Sequence, residues 1–137
     1  MSAIQSFDKL TATYTHDVFN LFLNRFLGKA PFQGILLLDI DDLKYVNRIK
    51  SREVGDILIT LVVRNIYNNV PRNAIVGRVG EDEFAVFLPE LSNFEELRKI
   101  GDKLVSIHRN PIRYRNEEFF QTVSVGGLRL TEDVLKD

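Results

Sequence analysis

Apolar residues recur along this chain with two spacings, one typical of helices and one typical of strands. Phe19, Phe22 and Phe26 are three or four positions apart, which predicts a helix with one apolar face. Ile35-Leu36-Leu37-Leu38 is an unbroken apolar run, which predicts a strand buried on both faces. In chain order, the patterns predict a helix over 15–28, a strand over 32–39, a helix that starts at 43, breaks at 50–51 and resumes over 53–69, strands over 74–79 and 84–88, a helix over 92–109, and strands over 111–115 and 118–128.

Turn and cap residues separate these predicted elements. Pro71 ends the long helix, and Ser92-x-x-Glu95 is a capping box that starts the next one. A Gly-containing acidic segment over 80–83 turns the first pair of strands into a hairpin, and Asn116 turns the second pair. Thr131–Asp137 resembles the beginning of a further element.

The order of elements is α–β–α–β–β–α–β–β, which indicates the α+β class. We expect a central, mainly antiparallel sheet with flanking helices, built around the β-α-β-β-α-β core that is typical of ferredoxin-like and palm-like folds. The 137 residues suffice for one domain with its own core, and no linker or repeat divides them, so we expect a single domain over 1–137. Its core should include the side chains of Phe22, Phe26, Phe84 and Phe87.

Composition narrows the classes of function. The 18 basic and 19 acidic residues give a net charge of −1, which argues against nucleic-acid binding by bulk electrostatics. The absence of cysteine excludes disulfides and thiolate metal sites. No apolar run approaches the roughly 18 residues that span a bilayer, and the N-terminus lacks a signal-peptide pattern, so we expect a cytoplasmic location. His16 and His108 form no metal-binding pair, and we expect both at the surface.

Two acidic clusters fall at positions that the predicted sheet would bring together. Asp39-Ile40-Asp41-Asp42 ends the strongest strand, and the carboxylates of Asp82 and Glu83 lie at the tip of the first hairpin. Mg²⁺ in proteins is held by a few carboxylates together with substrate phosphate oxygens. Two ions held in this way can activate a hydroxyl and stabilise a leaving pyrophosphate. The clusters therefore predict a metal and phosphate site, although each alone also fits a solvated turn or strand end.

The order of several motifs resembles one known family. The motifs are Asp39-Ile-Asp-Asp-Leu-Lys44-x-x-Asn47, Gly55-Asp56-x-Leu58 and Arg78-x-Gly80-Glu-Asp82-Glu83-Phe84, with Asp8-x-Leu10-Thr11 before them and Thr122-Val-Ser124-Val-Gly126 after them. Together they cover about residues 7–130 and resemble the GGDEF domain family. That family includes the diguanylate cyclases, which condense two GTP molecules into cyclic di-GMP.

The resemblance implies a metal and catalytic centre. Asp39 and Asp82 would hold Mg²⁺ (or Mn²⁺), and the backbone carbonyl of Ile40 would add a ligand. Asp82, near the attacking 3′-hydroxyl, and Glu83 would be the catalytic residues.

The resemblance also implies how the substrate is bound. Lys44 would contact phosphate, and Gly80 would let the backbone approach the nucleotide closely. Asn47 and Asp56 would read guanine. A carboxylate at position 56 suits this role, because it can accept hydrogen bonds from both the N1–H and the N2 amine of guanine, a donor pair that adenine lacks.

The sequence departs from the family pattern at important positions. Glu81 stands where the signature has its second glycine. If this position has positive φ, a side chain costs about 1–2 kcal/mol. Its charge, about 5 Å from a triphosphate at an effective dielectric constant near 20, would add roughly 3 kcal/mol of repulsion. The family's R-x-x-D product-inhibition motif is replaced by Pro71-Arg-Asn-Ala74, and the family's last helix is missing from the sequence.

Three functions remain open on the sequence. The first is a degenerate GGDEF domain that binds GTP and Mg²⁺ in a regulatory role, with weak or no cyclase activity, next to an EAL phosphodiesterase or sensory domain in a longer protein. The second is an active diguanylate cyclase, which would work as a homodimer because each domain holds one GTP. The third is an interaction module that binds no nucleotide.

Overall fold

The computed structural model describes residues 5–131, which contain four helices and seven strands. The helices are α1 (His16–Phe26), α2 (Leu43–Ile49), α3 (Arg52–Asn69) and α4 (Phe94–Ile107), and the strands are β1 (Tyr14–Thr15), β2 (Gln33–Ile40), β3 (Ile75–Arg78), β4 (Glu83–Leu88), β5 (Ile112–Tyr114), β6 (Glu117–Phe119) and β7 (Val123–Leu130). The predicted α+β class is confirmed. The element predicted to begin over 131–137 lies, apart from Thr131, outside the described residues.

The main sheet has five strands in the order β1-β3-β4-β2-β7. Its central strand, β2, pairs antiparallel with β4 on one side and with β7 on the other. The short β1 is parallel to β3, so the sheet is mainly antiparallel, as predicted. The first hairpin, β3–β4, therefore lies beside β2, as the sequence analysis required for the two acidic clusters to meet.

Two hydrophobic clusters hold helices against opposite faces of this sheet. The larger one joins β2 side chains such as Leu36 and Leu38 to Val62 of α3 and Leu104 of α4. On the other face, Phe19 of α1 packs in a smaller cluster with Ala85, Phe87 and Leu130. The sheet thus lies between α3 and α4 on one side and α1 on the other.

Gly77 sets the distance between α1 and the sheet. A Cβ atom at this position would lie only 2.7 Å from the Cβ of Phe19. Because that atom is fixed to the helix backbone, α1 can pack this closely only against a residue without a side chain.

The prediction that β2 is buried on both faces is wrong for Leu37. Leu36, Leu38 and Ile40 are at most 2% exposed, but Leu37 is 54% exposed. Leu37 points to the face on which α1 packs, and α1 contacts β3 and the short β1 rather than this part of β2. Phe26, also predicted in the core, is 37% exposed, whereas Phe84 and Phe87 are fully buried.

Two local predictions in the C-terminal half need correction. The N-cap of α4 is Asn93 and not the predicted Ser92. The Asn93 side chain accepts a hydrogen bond from the backbone N–H of Glu96 at 3.0 Å. The strand predicted over 118–128 is two strands, since β6 pairs only with β5 in a separate small sheet and β7 joins the main one. The turn predicted at Asn116 is confirmed, with positive φ at Arg115 and Asn116.

His108 is buried, contrary to the surface position predicted for it, whereas His16 is exposed. His108 lies just past α4, four residues after the buried Leu104, so it continues the apolar side of that helix. Its Nδ1 donates to the carbonyl of Leu104 at 2.7 Å, which leaves Nε2 to accept from the Asn65 side chain at 3.2 Å. Burial lowers the pKa of His108 below its ordinary value, and the bond to Leu104 only partly opposes this.

Because burial lowers the pKa of His108 in the folded protein, stability should depend on pH. As pH falls below about 6.5, the unfolded chain binds this proton first, so the free energy of unfolding should fall by up to about 1.4 kcal/mol per pH unit. Urea denaturation of His108→Gln between pH 7.5 and 5.5 should show a flatter dependence than that of the wild type. His16→Gln is the matched control and should keep the wild-type slope; equal slopes in all three proteins would contradict this account.

Candidate metal and nucleotide site

Three carboxylates meet at the carboxyl end of β2. Asp39 is the direct cross-strand partner of Glu83 on β4, so the two side chains point to the same face of the sheet. Asp82 precedes Glu83 in the turn, and each of these three residues offers an oxygen within 4.8 Å of the other two. Asp39 and Glu83 are exposed and Asp82 is half-buried. A few solvent-accessible carboxylates of this kind fit Mg²⁺ or Mn²⁺, which retain water and bind phosphate oxygens.

Backbone hydrogen bonds fix the turn that carries Asp82. The N–H of Ile40 donates to the carbonyl of Asp82 at 2.9 Å, so β2 holds the turn directly. The N–H groups of Val79 and Gly80 both donate to the carbonyl of Glu83, at 3.0 and 3.3 Å. The side chain of Ile40 is buried, and only its backbone is available to the site.

Glu81 is accommodated without backbone strain. Within residues 5–131, positive φ occurs at Ala12, Gly28, Asp42, Arg115 and Asn116, and neither Gly80 nor Glu81 is among them. The conformational cost expected for a side chain at position 81 is therefore absent. The Glu81 carboxylate lies 3.9 Å from the guanidinium of Arg52, the first residue of α3, and both side chains are exposed. The Arg52 cation thus lies near the Glu81 carboxylate, which stands where the family signature has a glycine. The contact also places the start of α3 beside the turn.

Arg78 connects the turn to the N-terminal part of the chain. Its guanidinium donates to the carbonyl of Glu81 at 2.6 and 3.2 Å and to both carboxylate oxygens of Asp8 at 3.1 and 3.3 Å. The backbone and hydroxyl of Thr11 also donate to Asp8. Burial acts to raise the pKa of Asp8, but the Thr11 hydrogen bonds and the Arg78 charge outweigh it and hold the pKa below its ordinary value. Sequence reasoning assigned no role to this cluster.

The proposed guanine-reading residues are neighbours at the junction of α2 and α3. Ser51 caps α3 by accepting from the N–H of Val54 at 3.1 Å, which places Gly55 in the first turn of that helix. The Asn47 side chain packs on Gly55 so closely that a Cβ there would lie 1.7 Å from its Oδ1. This oxygen is buried and accepts no hydrogen bond from any described residue. Asp56, the next residue after Gly55, is half-buried.

Lys44 is exposed in the first turn of α2. It forms no ion pair with a carboxylate of the described part of the chain. The structure therefore leaves its amino group available but does not bring it against Asp39, Asp82 or Glu83.

The structure separates the four residues that the sequence analysis grouped as one acidic cluster. Asp39 faces Asp82 and Glu83, whereas Asp41 accepts hydrogen bonds from Thr122 and Ser124. Thr122 and Ser124 are two positions apart and so point to one side of an extended chain. That spacing was the available signal for a polar contact there.

A groove with a volume of about 440 Å³ lies elsewhere, between α4 and β7. Its lining includes the apolar side chains of Leu97 and Val105 and the basic side chains of Arg98 and Arg129. None of the site residues lines it.

No helix in the described part of the chain combines the length and the apolar character that a bilayer span requires.

Comparison with known proteins finds relatives of this chain. It is 27% identical over 121 residues to the probable diguanylate cyclase DgcF of Escherichia coli K12, covering 88% of this chain and 38% of that protein. It is 27% identical over 124 residues to the cyclic di-GMP phosphodiesterase NbdA of Pseudomonas aeruginosa, covering 88% of this chain and 16% of that protein. The chain thus spans well under half the length of these relatives.

Solved structures share the fold. The isolated GGDEF domain of TpbB (YfiN) from Pseudomonas aeruginosa superposes with a TM-score of 0.85 at 25% identity, covering 96% of this chain and 83% of that one. The GGDEF domain of DgcB from Caulobacter crescentus, solved with c-di-GMP, gives a TM-score of 0.78 at 23% identity, covering 94% and 80%. The predicted palm-like architecture is therefore confirmed.

The family model described as diguanylate cyclase, GGDEF domain, matches residues 5–136. This match covers nearly the whole chain and includes every motif on which the resemblance was based. The chain belongs to the GGDEF domain family of diguanylate cyclases.

Proposed function

We propose that this chain is a degenerate GGDEF domain that binds GTP with Mg²⁺ (or Mn²⁺) in a regulatory role and has weak or no cyclase activity. The observation that carries the proposal is the trio of carboxylates, Asp39, Asp82 and Glu83, whose oxygens lie within 4.8 Å of one another on one face of the sheet. The domain would extend over 1–137 and act in a cytoplasmic cyclic di-GMP signalling protein.

In this proposal the carboxylates and one backbone carbonyl hold the metal. Asp39 and Asp82 supply negatively charged oxygens, and the carbonyl of Ile40 lies at the same end of β2. A divalent cation, when bound, would neutralise charge on the triphosphate. Glu83 lies opposite Asp39, and with Asp82 it would face the 3′-hydroxyl that attacks in the cyclase reaction. Gly80 would let the backbone approach the nucleotide closely, and Lys44 would add a single cation for phosphate.

Guanine would bind at the junction of α2 and α3. The buried Oδ1 of Asn47 accepts no hydrogen bond from the described residues, so an amine on a ligand would satisfy it. Asp56 next to it can accept from two donors at once, and guanine presents such a pair. Arg52, one turn before Asp56, already contacts the signature turn, which supports one continuous site from the turn to α3.

An active cyclase is the second candidate, and one observation favours it. Glu81 is unstrained and its charge is faced by Arg52, so the obstacle expected from the sequence is smaller than roughly 3 kcal/mol. Activity would require two such domains to face each other, each with one GTP. A pure interaction module remains the outcome if no Mg²⁺-dependent nucleotide binding is found.

The partner domains belong to the same proposal. The relative NbdA is a phosphodiesterase of which this chain matches only 16%, and DgcF is matched over 38% of its length. These proportions support a longer parent protein in which an EAL or sensory domain adjoins the GGDEF domain. GTP bound here would then regulate that neighbour.

Calorimetric titration with GTP and Mg²⁺ should show saturable binding that ATP does not reproduce. Asp56→Ala should weaken GTP binding at least about a hundredfold, because two hydrogen bonds to a charged group are lost and each contributes about 1.5–3 kcal/mol. Asp102→Ala, which removes an exposed carboxylate from α4, is the matched control and should bind as the wild type does. No binding at millimolar GTP would favour the interaction module, or show that binding needs the last helix of the family pattern.

Gly55→Ala should weaken GTP binding without unfolding α3. The new methyl group would displace the side chain of Asn47, whose flexible end can move, and alanine favours a helix over glycine. We expect up to about a tenfold loss of affinity, the value of one neutral hydrogen bond, with a melting temperature close to that of the wild type. Gly101→Ala in α4 is the control, since its Cβ would meet no atom closer than 3.4 Å. Unchanged affinity in Gly55→Ala would remove Asn47 from the site.

A double-mutant cycle on Glu81 and Arg52 should show coupling. Arg52→Ala should weaken GTP binding a few-fold when Glu81 is present, because an exposed pair contributes up to about 1 kcal/mol, and should have less effect in the Glu81→Gly background. Glu81→Gly alone should raise both GTP affinity and formation of cyclic di-GMP. Equal effects of Arg52→Ala in both backgrounds, or an unchanged affinity in Glu81→Gly, would show that the charge at position 81 does not act on the nucleotide.

A further inference from the structure

Asp41 is the most heavily hydrogen-bonded residue in the segment between β2 and α2. Its carboxylate accepts from the hydroxyl of Thr122 at one oxygen and from the hydroxyl of Ser124 at the other, both at 2.7 Å. Its backbone carbonyl accepts from the buried side chain of Gln121 at 2.6 Å, and its N–H donates to the carbonyl of Thr122 at 3.1 Å. Two residues just before β7, Gln121 and Thr122, and one within it, Ser124, thus hold Asp41 in place.

These contacts give Asp41 a different task from its neighbour Asp39. Asp39 lies in the trio that fits a metal, whereas both carboxylate oxygens of Asp41 already accept hydrogen bonds from the protein. Hydrogen bonds to an ionised acceptor are about twice as strong as neutral ones, so this arrangement resists displacement.

The position of the contacts links them to the carboxylate trio. Ser124 is the direct cross-strand partner of Asp39, just as Glu83 is on the other side, so the three side chains form one row on the sheet. Ser124 therefore touches Asp41 while standing next to Asp39. Asp41 also follows Ile40, whose N–H is bound to the Asp82 carbonyl.

The chain needs an anchor at this point because it changes direction abruptly. β2 ends at Ile40 and α2 starts at Leu43, and Asp42 between them has φ of 56°, in the left-handed region. A residue other than glycine in that region is less stable than in an extended conformation, so neighbouring contacts must hold it.

We infer that Asp41, through Thr122 and Ser124, is a positioning residue that holds Asp39 and the backbone of Ile40 in the geometry that binds the divalent cation. The inference rests on the proposed function, since it assumes that the trio holds a metal. It assigns to β7 a part in metal binding although no β7 side chain is a ligand.

The test is the affinity of the complete chain for Mn²⁺ alone, measured by electron paramagnetic resonance of the free ion. Thr122→Val removes the hydroxyl with little change of shape, and it should weaken Mn²⁺ binding about tenfold, the lower end of the effect of residues that orient metal ligands. Thr122→Ser keeps the hydroxyl and should restore the affinity to near the wild-type value. Ser124→Ala, at an exposed position, should also weaken binding.

Two controls separate the possible outcomes. Thr60→Val removes a hydroxyl that donates to the Ile57 carbonyl within α3, so it should lower stability towards urea about as much as Thr122→Val while leaving Mn²⁺ affinity unchanged. Asp82→Asn should abolish Mn²⁺ binding if the proposed metal site is correct. Mn²⁺ binding that is lost in Asp82→Asn but unchanged in Thr122→Val and Ser124→Ala would overturn the role of Asp41 alone. Absence of Mn²⁺ binding by the wild type would overturn the metal site and this inference with it.

Discussion

The pairing of β2 with both β4 and β7 is the constraint on which the rest of the structure depends. Its register fixes a single row, Glu83–Asp39–Ser124, across three strands of different parts of the chain. A shift of one residue in either pairing would turn one of these side chains to the opposite face, where α3 and α4 pack. The buried side chains of Leu36, Leu38 and Ile40 oppose that shift in β2, because it would move all three out of the larger hydrophobic cluster to the face on which Leu37 is exposed. The hydrophobic core therefore specifies where the polar row lies.

The other site residues lie on short segments around this row. Side-chain hydrogen bonds, in addition to the backbone pairing of the sheet, hold each of these segments. Arg78 fixes the carbonyl of Glu81 and is itself fixed by Asp8, from the segment before α1. Asp41 is fixed by Thr122 and Ser124, and Gly55 is fixed by the Ser51 cap that starts α3. The first and last motifs of the resemblance thus act as supports for the central ones, which explains why motifs so far apart in sequence occur together.

Much of this arrangement could be predicted from the sequence, and the exceptions have physical reasons. The spacing of apolar residues and the cap residues predicted the order of helices and strands. The acidic residues at the strand ends predicted that Asp39 lies close to Asp82 and Glu83. The exposure of Leu37 could not be predicted, because an apolar run in the sequence does not indicate how much of a sheet face is covered by the helix that packs on it. The surface position predicted for His108 was wrong because the prediction relied on histidine being a polar residue type. Its spacing of four residues from Leu104 continues the apolar face of the helix. The contacts of Asp8 and Asp41 join residues about 70 and 80 positions apart, and local patterns carry no information at that range.

Gly77 and Glu81 lie four residues apart in one hairpin and differ in how freely they can change over evolutionary time. No side chain fits at position 77, since its Cβ would collide with the Cβ of Phe19 and push α1 from the sheet. Position 81 has an ordinary backbone conformation and a side chain in solvent, so the fold places little restriction on it. A lineage can therefore lose the signature glycine and still inherit an intact domain. Drift in catalytic power and persistence of the fold are thus separate outcomes of mutation in this hairpin.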